Sequence, residues 1–421
     1  MKTSISIISL MILLNSFTLT NAQGEAALPF LHLTPSPLQN GLGWTGASHP
    51  TDDPFGFYYN PAMLGYSSQT NNISLQSYPG SADWLNLGIF EFNSQAINLG
   101  YNFKKELNGL SLSAGAGFIH SRIGFGEFRT PTGSYDSYDS YNAYGLGASV
   151  DYYVLLSLGI TFKSVHSELG YIGETSQVAK VDVNAIDYGI LLSIPLIKLI
   201  DDNYSFQLSQ NSKLIPVFNY NLGYSRLNIG DEVYYIDPAQ SDPIPLTARL
   251  GHTFSFGFDY ESDNISINLI NYDLILEADD ILIDRKIDTT TFSSEISYQS
   301  LLGDIDFGKH LIQLKGDNKV VVHKAHAINL VETVTILIGS FEGRGFNENR
   351  KTNGLVFSTR GLFKWFYSQL ETDLLKFLAE HIDLKYISSS IFDKTNISID
   401  GRNIETDLSG ISLSLLNYSF N

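Results

Sequence analysis

The residues to test first for chemistry are His323 and His326, in "HKAH", and the adjacent acids Asp52 and Asp53, in "HPTDDPFG". On a helix, a spacing of three turns both imidazoles to one side and suits a metal ion. On a strand, residues three apart face opposite sides, so the metal reading falls if this segment is extended. Asp52 and Asp53 read either as turn residues or as partners of a buried cation, with Arg249 as one candidate. The sequence has no Gly-x-Ser-x-Gly elbow, no His-Glu-x-x-His and no phosphate-binding glycine loop. It has no cysteine, so it offers no thiolate nucleophile, thiolate metal site or disulfide. No enzyme activity, metal or cofactor is expected. The charge balance, 26 Lys+Arg against 44 Asp+Glu for a net of −18, speaks against a nucleic-acid partner.

The elements that would position these residues read as strand after strand. In "LTARLGHTFSFGFDY", Leu246, Ala248, Leu250, His252, Phe254, Phe256, Phe258 and Tyr260 fall on one face. Thr247, Arg249, Gly251, Thr253, Ser255, Gly257 and Asp259 fall on the other. "INLGYNF", "GLSLSAGAGF" and "FNYNLGYSR" repeat this period of two, which is that of a strand. A soluble sandwich alternates too. Here, however, the polar face is Gly, Ser, Asn and Thr rather than Lys and Glu, and several strands reach the roughly 9–11 residues of a tilted membrane crossing. Phe (26) and Tyr (24) are abundant near strand ends, as interfacial girdles require. A sheet crosses lipid only if it closes, because every backbone polar group must be paired there. The fold class expected is all-β: a transmembrane antiparallel β-barrel.

Connections alternate short and long. Long ones are expected at 124–142, 166–184, 230–245, 278–318, 342–353 and 393–409, and short ones at Asn108-Gly109, near Tyr152, at 261–264 and near Glu332. Short turns mark the periplasmic end and long loops the outside. Fifteen strand candidates run from Asn72 to Phe420. An even number is required, and "ISLQSY" at Ile73 is the weakest, which leaves about 14. The last residues, with Tyr418 and Phe420, resemble the C-terminal aromatic signal read by the barrel-assembly machinery, the partner this implies.

The first 22 residues carry Lys2, a short apolar run and a small residue at Ala22. They read as a secretory signal cleaved after Ala22, and so place the chain in the cell outer membrane. Two segments break the strand pattern. "SIPLIKLI" and "GLFKWFYSQLETDLLKFLAEH" have helical spacing and fall at the periplasmic end, and "YGILLSIPLIKLI" and "NGLVFSTRGLFKWF" echo one another. They read as short helices lying at the inner leaflet, with Lys198 and Lys364 directed at headgroups and Phe363, Trp365 and Phe366 at the acyl boundary, or as helices packed under the barrel.

Residues 23–70 lack alternation and must go somewhere. A barrel of this size has a lumen too wide for side chains to fill, and a compact, glycine-rich, aromatic segment suits a plug. Within it, Asn60 and Pro61 suit the cap and first position of a helical turn stopping at Gly65. "LPFLHLTPSPLQNGLGWTGASHPTDDPFGFYYNPAMLG" resembles the N-terminal hatch of the FadL-like outer-membrane superfamily. The residues that carry the resemblance are Gly41-Leu42-Gly43, Gly46-Ala47, Asp52-Asp53 and Asn60-Pro61-Ala62-Met63-Leu64. The "LPFL" start and the aromatic pair before Asn-Pro-Ala are closest to the PorV and PorQ-like branch. The resemblance implies a signal peptide (1–22), a hatch (23–70) and a barrel (71–421). It further implies a role in type IX protein secretion, with exported cargo or secretion components as partners. The superfamily's alternative is transport of a hydrophobic small molecule, and a purely structural surface barrel is a third reading. The chain lacks the ligand-site signature of the fatty-acid transporters.

Overall fold

The alternation is realised as one closed antiparallel sheet. The computed structural model describes residues 26–107, 110–130, 133–171, 178–235, 241–287, 294–346, 350–393, 398–399, 402–403 and 405–418; the expected signal segment and Phe420 lie outside these. The wall has 14 strands. They are β1 (Asn72–Ser77), β2 (Glu91–Leu107), β3 (Leu110–Thr130), β4 (Gly133–Tyr152), β5 (Val154–Tyr171), β6 (Val178–Pro195) and β7 (Ser212–Gly230). The second half is β8 (Thr247–Ser262), β9 (Ser266–Ile281), β10 (Val320–Leu330), β11 (Val334–Glu342), β12 (Arg350–Ser358), β13 (Ile382–Asp393) and β14 (Glu405–Leu416). Each pairs with its neighbours in sequence, and β1 closes the ring by pairing with both β2 and β14.

The segment weakest as a strand in the sequence is therefore the one that closes the barrel. Ile73 lies opposite Leu415 on one side and Leu99 on the other. Its signal is weak because β1 has only six residues, four of them Asn, Ser or Gln. Its burial is inside out: Asn72, Ser74 and Gln76 are buried while Leu75 is 47% exposed. The same inversion runs along β8, where Arg249, Thr253 and Ser255 are buried and Phe256 and Phe258 face outward. An outer face built from Leu99, Phe103, Leu146, Leu158, Ile338 and Leu355 is a lipid-facing band, not a surface meant for water.

The wall is lopsided. β3 and β4 have 21 and 20 residues, β11 and β12 nine each. The tall strands exceed a membrane crossing, so their ends stand outside it. This corrects two expected loops. Residues 124–130 and 133–142 are the paired ends of β3 and β4, and the connection expected over 166–184 shrinks to the residues between Tyr171 and Val178. Tyr, Ser and Asp alternate there as a strand would, but an acidic stretch hides the pattern. Likewise Asp279 and Asp280 belong to β9 rather than to the loop after it.

Beyond β9, a hairpin of Ile283–Ile287 with Ser294–Tyr298 and a turn at Phe307–Ile312 fold back over the outer wall. Leu282, Ile283, Ile305 and Leu311 pack on Ala248, Ala278 and Val322. There the wall is covered by protein in place of lipid. At the opposite rim are the short turns, together with α3 (Leu196–Ile200), α4 (Arg360–Leu370) and α5 (Asp373–His381). The segment "GLFKWFYSQLETDLLKFLAEH" forms two short helices parted at Glu371, which adopts a left-handed backbone (φ 47°); Thr372 then caps α5. No helix among the described residues is long and apolar enough to cross a membrane.

Candidate functional site

Residues 26–71 lie in the lumen, with α1 (Pro37–Gly41) and α2 (Met63–Ser67) as their longest regular pieces. α2 is seated against β3, β4 and β5 by close backbone approach. Five glycines, Gly100, Gly115, Gly147, Gly159 and Gly189, stand side by side on five successive strands from β2 to β6. A Cβ added at Gly147 would come within 2.6 Å of the Gly65 nitrogen, and one at Gly159 would strike the Pro61 carbonyl. Gly65 in turn approaches the Ala148 backbone, where a Cβ would sit 2.6 Å from its carbonyl carbon. This glycine therefore lies inside α2 and does not stop it. Asn60 opens the turn: its Oδ1 accepts from the Ala62 N–H (3.0 Å), and its Nδ2 donates to the carbonyls of Ala47 (2.6 Å) and Ile190 (3.1 Å). Ser157 donates to the Ala62 carbonyl at 2.6 Å.

The other side of the segment is tied by charge. Glu277, fully buried, accepts from the backbone N–H groups of Gly46 (2.9 Å) and Ala47 (3.0 Å) and from Arg249 Nε (3.0 Å). Arg249 also donates to the Trp44 carbonyl and lies 3.9 Å from the centre of the Tyr59 ring. Asp279 meets His323 at 2.5 Å and Arg344 at 3.3 Å, and the other ring nitrogen of His323 lies 2.7 Å from the Gly43 carbonyl. Buried ion pairs hold only when their remaining hydrogen bonds are filled. Here the plug backbone fills them. Gly43, at φ 64°, lies against the Ser340 backbone.

The sequence-predicted residues are distributed as follows. Asp52 pairs with Lys385 (2.7 Å) and not with Arg249, which takes Glu277 and Asp279 instead. The ammonium beside it holds Asp52 below the usual carboxylate range. Asp53 accepts from Ser36 Oγ and from the Phe55 N–H, and burial pushes its carboxyl up to about 6. The Gly41 carbonyl accepts from Thr352 (2.8 Å). His323 faces the lumen, whereas His326 bonds the Tyr272 hydroxyl and is not fully buried, so the two part to opposite faces. Lys364 is locked to Glu332 at 2.7 Å and so does not reach for headgroups. Lys198 lines the inner vestibule described below. Phe363, Trp365 and Phe366 lie on α4. Tyr418, just past β14, donates to the Gly100 carbonyl (2.8 Å) at the closing seam.

Above α2 the lumen is apolar. Phe30, Leu31, Phe55, Phe57 and Tyr58 of the N-terminal part pack on Tyr78, Phe92, Ile119, Ile123, Tyr141, Val165 and Val183 of the wall. The rings of Tyr58 and Tyr141 stack at 5.6 Å. One ion pair, Lys163 with Asp187 (2.9 Å), is embedded here, with the ammonium 4.6 Å from the centre of the Tyr58 ring. Below the plug the lumen widens into a cavity of about 1050 Å³ at the short-turn rim. Its charged lining residues are mostly acidic, among them Asp151, Asp202, Asp259, Asp273, Glu332 and Asp383 against Lys198, Arg360 and Lys385, set among apolar side chains such as Leu155, Val217 and Leu337. Sequence reasoning missed Glu277, Asp279, Lys163 and Asp187. Nothing local marks an inward carboxylate on a strand. It missed the glycine belt too, although its signal was present, since Gly recurs on the polar face of "INLGYNF", "AGAGF", "YGLGAS", "LSLGITF" and "DYGIL".

No protein-family model matches the sequence, and no curated protein matches it. Among solved structures, the chain is similar to the Pseudomonas putida toluene transporter TodX at 12% identity, covering 91% of this chain and 98% of that one, with a TM-score of 0.36. It is similar to the Ralstonia pickettii toluene transporter TbuX at 10% identity, covering 90% and 97%, with a TM-score of 0.35. The β domain of the Bordetella autotransporter Brka gives 8% identity, covering 83% and 99%, with a TM-score of 0.37. An autotransporter domain scores level with the toluene transporters, so likeness of this depth does not discriminate cargo.

Proposed function

We propose that this chain is an outer-membrane passage protein for apolar small molecules, held shut by its N-terminal segment. The observation that carries the reading is the apolar, aromatic packing between the N-terminal segment and the outer half of the wall, which would line the lumen once that segment yields. A water-filled pore for polar solutes lines its interior with polar groups, and an apolar interior favours an apolar traveller. The plug separates that region from the acidic vestibule, so passage requires residues 43–67 to yield. The hatch resemblance to the FadL-like superfamily points the same way. The reading implied by its PorV branch, an adaptor in protein export, calls instead for partner-binding outer loops and needs no apolar lumen.

Purification from outer membranes in mild detergent, with mass spectrometry of co-purifying small molecules and proteins, tests this. A bound apolar compound is the expected result. Exported proteins sharing a C-terminal domain, with no apolar ligand, would overturn the proposal in favour of the export reading.

A further inference from the structure

The helical hairpin α4–α5 leaves a row of large apolar side chains uncovered. Trp365, Phe366, Leu370, Leu374 and Phe377 are each between 42% and 68% exposed. Both ends of the hairpin are fixed to the wall. Gly361 abuts the Val331 carbonyl, and Lys364 and Arg360 meet Glu332 in the turn between β10 and β11. At the far end, the Glu380 carbonyl accepts from Asn417, and His381 meets the Leu416 carbonyl at 2.8 Å. The exposed row does not look into the lumen: Arg360, on the opposite side of α4, lines the vestibule, and none of the five apolar residues does. Instead the row adjoins the lipid-facing band at the ends of β12 and β13, where Phe357, Leu384 and Tyr386 are exposed.

We infer that α4–α5 lies on the periplasmic leaflet of the membrane, its apolar row buried at the acyl boundary and continuous with the barrel's own lipid contact. Continuity with that contact selects lipid as the occupant. The charge arrangement sharpens the inference. Lys364 is consumed by Glu332, and the hairpin's other charges include Glu371, Asp373 and Glu380 against Lys376. Anionic headgroups gain nothing here, so the attachment is apolar and independent of lipid charge. A second apolar group, Ile200 (88% exposed), Phe206 and Leu208, stands at the same rim beside β6 and β7, six strands around the ring from β13. Two such contacts apart on the circumference would set the depth of the barrel.

The chain has no cysteine, so single labels are clean. Leu370→Cys and, on the polar side, Lys376→Cys would each carry a nitroxide in the full-length protein reconstituted in phosphatidylcholine vesicles. The expected result is that the label at 370 is relaxed more by oxygen than by a water-soluble nickel chelate, and the label at 376 the reverse. The difference should be unchanged between low and high salt and on adding phosphatidylglycerol. A label at 370 as open to nickel as that at 376 would overturn the inference, as would lipid contact appearing only with anionic lipid. Both sites are at the surface, so the substitutions leave the barrel's packing intact.

Discussion

The two sides of the plug are held by different physics. Around α2 the wall is stripped of large side chains, and contact is made mainly by shape, backbone against backbone over the belt from Gly100 to Gly189, with small serines such as Ser157 donating to plug carbonyls. Around residues 43–48 the wall supplies charge, and contact is made by Glu277, Arg249 and His323 reaching plug amides and carbonyls, with Asp279 holding His323 and Arg249 behind them. A shape contact is short-ranged and is lost by any added atom. A buried charge contact is costly to break from either partner. The N-terminal segment is thus anchored firmly on one side and fitted closely on the other, an arrangement suited to the gated passage proposed above.

Substitutions that separate these two modes are ranked here by expected effect. Glu277→Ala strands Arg249 and two plug amides in the interior. Breaking a buried pair from one side costs about 3–5 kcal/mol, and protease access to residues 43–48 in the reconstituted protein should rise steeply. Gly159→Val drives a branched side chain into the Pro61 carbonyl. Overpacking costs about 1–3 kcal/mol, and planar-bilayer recordings should show channel openings that wild type lacks. Asn60→Ala removes the acceptor of the Ala62 N–H and the donor to two carbonyls, for about 1–2 kcal/mol. Proteolysis should then begin near residue 60 and leave the 43–48 contact intact.

Asp53 offers a pH probe of the seat. Its folded-state value, near 6, is raised above the ordinary 3.8. Its neutral form therefore stabilises the seat fully below about pH 4, and that contribution is lost as pH rises through 6. Plug protection should fall over this window, and Asp53→Asn should flatten the slope. Asp52→Asn should do least. The Asp52 side chain is 56% exposed in its pair with Lys385, and such pairs contribute about 0–1 kcal/mol. Equal losses from Asp52→Asn and Glu277→Ala would erase the distinction between the two anchors.

The barrel was legible because a period of two survives in β2, β7 and β8 even where the polar face faces inward. Its limits were not, because β3 and β4 continue as strand beyond the membrane, where Asp and Tyr replace the apolar row. β1 was discounted because six mostly polar residues carry little signal alone; its place is fixed by partners 22 and 342 residues away, Ile97 opposite Leu75 and Leu415 opposite Ile73 among them. A turn at Asn60 and Pro61 could be read locally, but the Asn60 side chain closes that turn on the Ala62 N–H and the helix begins only at Met63 with Ala62 at its N-cap, so Asn60 is not the helix cap nor Pro61 its first residue. The pairing of Glu277 with Gly46 could not be read locally, since it spans 231 residues and depends on strand register. Lys364 misled for the same reason: its partner, Glu332, lies in a turn that meets α4 only once the ring has closed.

The most direct test of the central claim is entry of the apolar dye N-phenyl-1-naphthylamine into cells that differ only in this protein. Faster entry with wild type than without it, a further rise with Gly159→Val, and no matching rise for a polar sugar are the results this account expects. Dye entry unchanged by the presence of the protein and by the glycine substitution would contradict it.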